Sequence, residues 1–187
     1  ILPLIGSGCN FSSISDQNKK LNECNVLNEI LKEKKIIQKV NYIVIGNERY
    51  ENLPLLINFI DKFLVINKKI SVLVVGNTPH WENYLPKIAI RNLRGSIENN
   101  YTSISLNKNS IADDERQKNF FSQLNRDNVE YISIINFLCK KEELPYSCLV
   151  GFKGRDGSLK LTSYDKSHLT FETTQLLKNK IFKSLIK

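Results

Sequence analysis

Apolar and polar positions recur along this chain in two different periods, and the changes between them divide it into strands and helices. Short unbroken apolar runs predict buried strands at Leu2–Ile5, ended by Gly6-Ser7-Gly8, and at Tyr42–Ile45, stopped by Gly46. Two more fall at Ile70–Val75, which runs into Gly76-Asn77-Thr78-Pro79, and at Val129–Phe137. Between residues 16 and 38, Leu21, Val26, Leu27, Ile30 and Leu31 recur at three-to-four-residue spacing, which predicts an amphipathic helix. Leu55–Val65 and Asp113–Gln123 read as further helices. Lys153-Gly154-Arg155-Asp156-Gly157 predicts a turn between two short extended pieces. Thr170 is a good N-cap for a last helix, Phe171–Leu185, with Leu176, Leu177, Ile181 and Leu185 on one stripe.

Strands that alternate with helices predict an α/β fold with a parallel sheet and right-handed crossovers. No repeat or linker interrupts the 187 residues, so one domain over 1–187 is expected. Ligands in such sheets sit at the carboxyl ends of the strands. That rule singles out residues 6–9, 46–50 and 76–81 and the loop before the last helix.

Composition changes this picture little: 41% apolar and 25% charged residues are ordinary for a globular chain, and no apolar run reaches membrane-span length. The chain starts at Ile1, holds no Met and has no signal-peptide pattern, while its first residues already read as a strand. The expectation is a domain whose opening part lies upstream. The net charge of +8 comes without a dense Lys/Arg run or interleaved aromatics, which argues against nucleic acid as a partner. It reads as lysines spread over a solvated surface; the alternative is a basic face toward an acidic glycan or a membrane surface.

The four cysteines form two sequence-local pairs, Cys9 with Cys24 and Cys139 with Cys148, neither with zinc-knuckle spacing. Loop closure favours the two local disulfides among the three possible pairings, which would imply an oxidising compartment. Four buried free thiols are the alternative. With two histidines in the chain, a metal site is poorly supplied, and no metal or cofactor is expected.

The loop Tyr164-Asp165-Lys166-Ser167-His168-Leu169-Thr170 carries the candidate chemistry. A carboxylate three residues before a histidine, in a turn held by a capped helix, can accept the imidazole Nδ1–H and leave Nε2 free to take a proton from a nucleophile. The plainer alternative is a turn aspartate and an ordinary histidine. His80, the other histidine, has only Glu82 nearby as a ligand and reads as a surface or cleft residue. Trp81 and Tyr84 on the same loop either stack on a sugar ring or cap the sheet edge.

Asp-x-x-His-Leu-Thr just before a terminal helix resembles the last block of SGNH (GDSL-like) hydrolases. More closely, the chain resembles the SGNH domain fused to membrane acyltransferase family 3 proteins, which modify bacterial surface polysaccharides. Gly8-Cys9 after a strand, with Cys24 at a helix start, looks like that family's first cysteine pair. Tyr42–Gly46 leading to Arg49-Tyr50 resembles its second strand block, and Val72–Pro79 running into His80-Trp81 its third. Tyr131–Phe137, Cys139, Cys148 and the Asp165–Leu169 segment follow its closing part in order and spacing.

The resemblance implies a flavodoxin-like, three-layer SGNH sandwich with its first strand missing. It also implies disulfides Cys9–Cys24 and Cys139–Cys148, and Asp165 and His168 as orienter and base. The implied activity is extracytoplasmic O-acyl transfer, most simply of acetyl, to a hydroxyl of a cell-surface polysaccharide such as lipopolysaccharide. The partners are an upstream acyl-donor membrane domain and the glycan acceptor, on the periplasmic or extracellular face of a bacterial membrane. Esterase or deacetylase chemistry at the same site, or a non-catalytic glycan-binding module, is the alternative. The family's Gly-Asp-Ser block does not occur, so the nucleophilic serine is expected upstream; Ser7 is the substitute within the chain and otherwise a turn residue. The oxyanion block Gly-x-Asn-Asp is also absent. Gly46, Gly76 and Asn77 stand nearest to it, with the Asn77 amide as donor or, alternatively, as a turn residue. Arg49 and Trp81 are the candidates for lining a substrate cleft.

Overall fold

The computed structural model describes residues 2–5, 30–46, 52–92, 100–141 and 146–185, which belong to two compact units. In chain order the elements are β1 (Leu2–Ile5), α1 (Lys34–Ile37), β2 (Tyr42–Gly46), α2 (Leu53–Ile66), β3 (Ser71–Val75), α3 (Leu85–Asn92) and β4 (Asn100–Thr102). Then follow α4 (Lys108–Gln123), β5 (Val129–Ile132), α5 (Ile134–Leu138), β6 (Cys139–Lys140), β7 (Ser147–Lys153), β8 (Leu159–Leu161) and α6 (Phe171–Leu185). The architecture is α/β with a parallel sheet.

The first unit, Ile1–Asn77 with Glu115–Ile132, holds that sheet in the order β1-β2-β3-β5. Its register pairs Ile43 with Val72 and Ile45 with Val74, and then Val72 with Val129 and Val74 with Tyr131. Paired residues share a face, so these six form one apolar surface. It packs in a single cluster with Leu56, Ile60 and Phe63 of α2 and with Phe121 of α4. The Phe121 and Tyr131 rings stack at 5.3 Å. Phe63 is fully buried, and truncating it to Ala would cost about 3–5 kcal/mol. The cap of α2 is Asn52, whose Oδ1 accepts from Leu55 N–H at 3.1 Å, with proline in the first turn. At the carboxyl edge Gly46 pairs in register with Val75, and Gly76 N–H donates to the Ile132 carbonyl at 2.8 Å.

The second unit, Thr78–Asp114 with Ser133–Lys187, is built on an antiparallel sheet, β4-β7-β6, with β8 paired to β7. Trp81, Leu85, Ile88, Leu106, Ile111, Ile135 and Val150 form its core. A disulfide joins Cys139 and Cys148 across the β6–β7 pair, with Cα atoms 3.9 Å apart. The β7–β8 hairpin turns through Gly157 at φ +79°, a conformation that glycine adopts without strain.

The predicted strand Val129–Phe137 is shorter than expected and gives way to helix. Ser133 ends it: its Oγ accepts from Asn136 N–H at 2.9 Å as an N-cap and donates to Asp114 Oδ2 at 2.6 Å. The helix expected from Asp113 starts at Lys108, after Asn107, whose Oδ1 accepts from Asn109 N–H at 2.9 Å. The turn expected at Lys153–Gly157 joins β7 to β8 as an antiparallel hairpin, while β4, β6 and α3 are additions to the predicted architecture. Of the helix predicted within 16–38, residues 16–29 lie outside the described residues. Among the described residues, no helix is long and apolar enough to cross a membrane.

Candidate active site

The loop between β8 and α6 is closed at its stem by hydrogen bonds. Thr162 N–H donates to Val150 O at 2.9 Å and Thr162 Oγ1 to Leu149 O at 2.7 Å, fastening the outgoing strand to β7. Ser163 and Leu169 form an antiparallel bridge, and Thr170 N–H returns to Thr162 O at 3.0 Å. Thr170 Oγ1 donates to Leu161 O at 2.6 Å and accepts from Thr173 N–H at 3.3 Å, so one hydroxyl starts the helix and ties it to the strand.

Inside this loop, both oxygens of Asp165 are engaged. Oδ1 accepts from Ser167 N–H at 2.9 Å and His168 N–H at 2.8 Å, while Oδ2 lies 2.6 Å from His168 Nδ1. Burial pushes the Asp165 carboxyl up, but the Ser167 and His168 backbone donors and the His168 ring outweigh it and hold the pKa at about 2. An ionised carboxylate on Nδ1 fixes the tautomer with the proton there, which leaves Nε2 as the basic nitrogen. The His168 side chain is 62% exposed and Asp165 24%, so the imidazole reaches solvent while the carboxylate that holds it is more sheltered. The Tyr164 ring lies against the imidazole, with centroids 5.6 Å apart and 14° between the planes.

The loop's outer side is anchored through its backbone. The carbonyls of Asp165, Lys166 and Ser167 accept, in turn, from Leu85 N–H at 3.0 Å, Trp81 N–H at 2.7 Å and Thr78 Oγ1 at 2.9 Å. Residues 78–85 therefore hold three consecutive peptide groups of the loop.

The structure brings Asp165 and His168 together and buries Trp81 in the core of the second unit. Trp81 is 1% exposed and packs with Leu85, Leu106 and Ile111, which corrects the expectation that it lines a substrate cleft: a buried indole offers no face to a sugar. Gly46, Gly76 and Asn77 belong to the other unit, at the carboxyl ends of β2 and β3. Gly76 is also corrected as an oxyanion donor, because its N–H is already given to Ile132. Beside Gly46 there is open space. Asn77 is 7% exposed, and its Oδ1 has no hydrogen-bond partner among the described residues. Arg49, Ser7, Cys9 and Cys24 lie outside the described residues. Sequence reasoning missed Tyr164 and Thr78. Adjacency to Asp165 was a signal for Tyr164; nothing local marks Thr78, whose partner is 89 residues away. Among the described residues no group of three or more His, Cys, Asp or Glu is placed to hold a metal ion.

No protein-family model matches the chain. No curated protein matches it either. Among solved structures, the chain is similar to the periplasmic domain of a lipopolysaccharide acetyltransferase from Salmonella ser. Paratyphi A, with 23% sequence identity and a TM-score of 0.65. The match covers 88% of this chain and 62% of that one, so this chain spans less than two thirds of that structure. Across the matched length, the two chains share a fold.

Proposed function

We propose that this chain is an extracytoplasmic O-acyltransferase domain of the SGNH type, one domain over 1–187, that moves an acyl group, most simply acetyl, to a hydroxyl of a cell-surface polysaccharide. The observation that carries this reading is the 2.6 Å contact of Asp165 Oδ2 with His168 Nδ1, in a loop fixed on both sides. The fold shared with a lipopolysaccharide acetyltransferase domain supports it. The Cys139–Cys148 disulfide supports an oxidising compartment, hence the periplasmic or extracellular face of a bacterial membrane.

In the proposed mechanism a serine outside these residues is the nucleophile. His168 Nε2 takes its proton as Oγ attacks the acyl carbon of the donor, delivered by a membrane domain of the same polypeptide. The donor's leaving group departs with that proton, and the acyl group stays on serine as an ester. His168 then takes the proton of the glycan hydroxyl, whose oxygen attacks the ester, and returns it to the serine oxygen. Asp165 stays ionised throughout and stabilises the imidazolium. The Asn77 amide is the candidate donor to the tetrahedral oxyanion. With water in the glycan's place the same steps make an esterase.

The test compares this chain with one extended upstream, on nitrophenyl acetate and on acetyl transfer to polysaccharide. The extended form should turn over, the short form should not, and His168→Ala should abolish the activity. Equal activity in both forms would return Ser7 as the nucleophile. A second reading, a glycan-binding module without acyl transfer, rests on the absence of Gly-Asp-Ser from the sequence, and inactivity of both forms would favour it.

A further inference from the structure

One exposed aromatic ring beside the Asp165–His168 loop has two ammonium groups close to it. Tyr84 is 52% exposed; Lys87 Nζ stands 5.7 Å from its ring centroid and Lys166 Nζ 5.9 Å. Lys166 lies in the chain between Asp165 and His168. The backbone on both sides of this cluster is locked, because Leu85 N–H donates to Asp165 O and Trp81 N–H to Lys166 O. Next to it is a groove of about 170 Å³ lined by Asn83, Lys87, Ile88, Arg91, Ile104 and Ser105. Lys87 and Arg91 are four residues apart on α3, hence on one helix face.

Among the described residues, none of these three cations has a carboxylate partner. The nearest acid in the chain to Lys166 is Asp165, and both its oxygens are already committed to His168 and Ser167. Like charges gathered at one ring repel, and among the described residues no ion pair offsets the repulsion. An anionic ligand would. A tyrosine face takes the C–H face of a pyranose ring, while flanking ammonium groups take a carboxylate or phosphate on that ring.

The geometry points to an acceptor subsite for an acidic sugar, with the pyranose on Tyr84 and its anionic group between Lys87, Lys166 and Arg91. This inference rests on the acyl-transfer reading and narrows the acceptor to a glycan that bears carboxylate or phosphate groups. The anchor is tied to the backbone of the loop that carries Asp165 and His168, through Leu85 N–H and Trp81 N–H.

The test is a binding titration, with no turnover needed, using tetragalacturonate, neutral maltotetraose, inorganic phosphate and a short single-stranded oligodeoxynucleotide. Tetragalacturonate should bind at least about tenfold more tightly than maltotetraose, an advantage that shrinks as salt screens the charges. Lys87→Glu with Lys166→Glu should remove that advantage, and Tyr84→Ala should weaken both sugars by about threefold or more. If the double variant does not fold, Lys87→Gln and Lys166→Gln, each expected to lose about threefold, carry the test. Equal binding of the two sugars, indifference to charge reversal, or phosphate or oligonucleotide binding as tight as tetragalacturonate would overturn the subsite. An absent acidic preference beside His168-dependent acetyl-ester turnover sinks this inference alone. An acidic preference without such turnover sinks the acyl-transfer reading alone.

Discussion

Tyr164 and His168 lie nearly parallel, ring centroids 5.6 Å apart, with the tyrosine 60% exposed. The contact restricts how the imidazole rotates about its Cβ–Cγ bond, which Asp165 alone controls only through Nδ1. Aromatic pairs of this kind contribute about 0.5–1.5 kcal/mol. In the protein that carries its nucleophile, Tyr164→Ala should therefore lower kcat by roughly two- to tenfold with little change in KM. Tyr164→Phe should retain the parent rate, since the hydroxyl plays no part in the stacking. Steady-state kinetics on an acetyl ester separates the two.

Asp165 links the site to acid stability. Its carboxyl is held at about 2, below the ordinary aspartate value near 3.9, so the ionised form is favoured by folding. The stability it contributes is fully present above about pH 4 and is lost as pH falls through 2. Thermal melts should show the parent and Asp165→Asn diverging by on the order of 1 kcal/mol, or about 2–4 °C, at pH 5–7 and converging below about pH 2. Activity should fall further, by about a thousandfold or more, because an amide stabilises the wrong tautomer of His168.

Thr170 joins the last helix to β8 through one hydroxyl. Thr170→Ala removes both the N-cap and the bond to Leu161, and should cost about 1–2 kcal/mol by chemical denaturation. Thr170→Ser keeps the oxygen and should recover most of the loss.

The Cys139–Cys148 bridge is expected to contribute about 2–3 kcal/mol by limiting the unfolded chain. Replacing both residues with Ala should lower the melting temperature by several degrees relative to the oxidised parent, as read by thermal melts without reductant.

The parallel sheet was legible because its strands are unbroken apolar runs closed by glycine, as at Tyr42–Gly46, and such runs carry their own boundaries. The last helix was legible because Thr170 marks its start; of the leucine stripe, Leu177 is buried while Leu176 is exposed. Residues 129–137 misled because the apolar run passes from strand into helix without a break, and only Ser133 records the change. Of the antiparallel sheet only the β7–β8 hairpin was legible, from its glycine turn; Asn100–Thr102 finds its partner in Ser147–Lys153, and nothing in a three-residue strand specifies a mate so far along the chain. Trp81 was ambiguous because its cover, Leu106 and Ile111, comes from elsewhere in the sequence. The dyad itself was legible because Asp165 and His168 share one short loop, whereas the loop's supports at Thr78, Trp81 and Leu85 act through backbone groups or distant partners.

The grip on residues 165–167 uses two peptide N–H groups and a single threonine hydroxyl, so it is largely blind to side-chain identity. Positions 81 and 85 are constrained by the core they fill, but the grip itself needs only their peptide N–H groups, so apolar residues that repack that core keep it, with one substitution barred. Proline has no N–H to give. A homologue with proline at either position must hold its loop by other means, and that exclusion is a mark by which distant kin of this site can be sorted when their motifs have worn away.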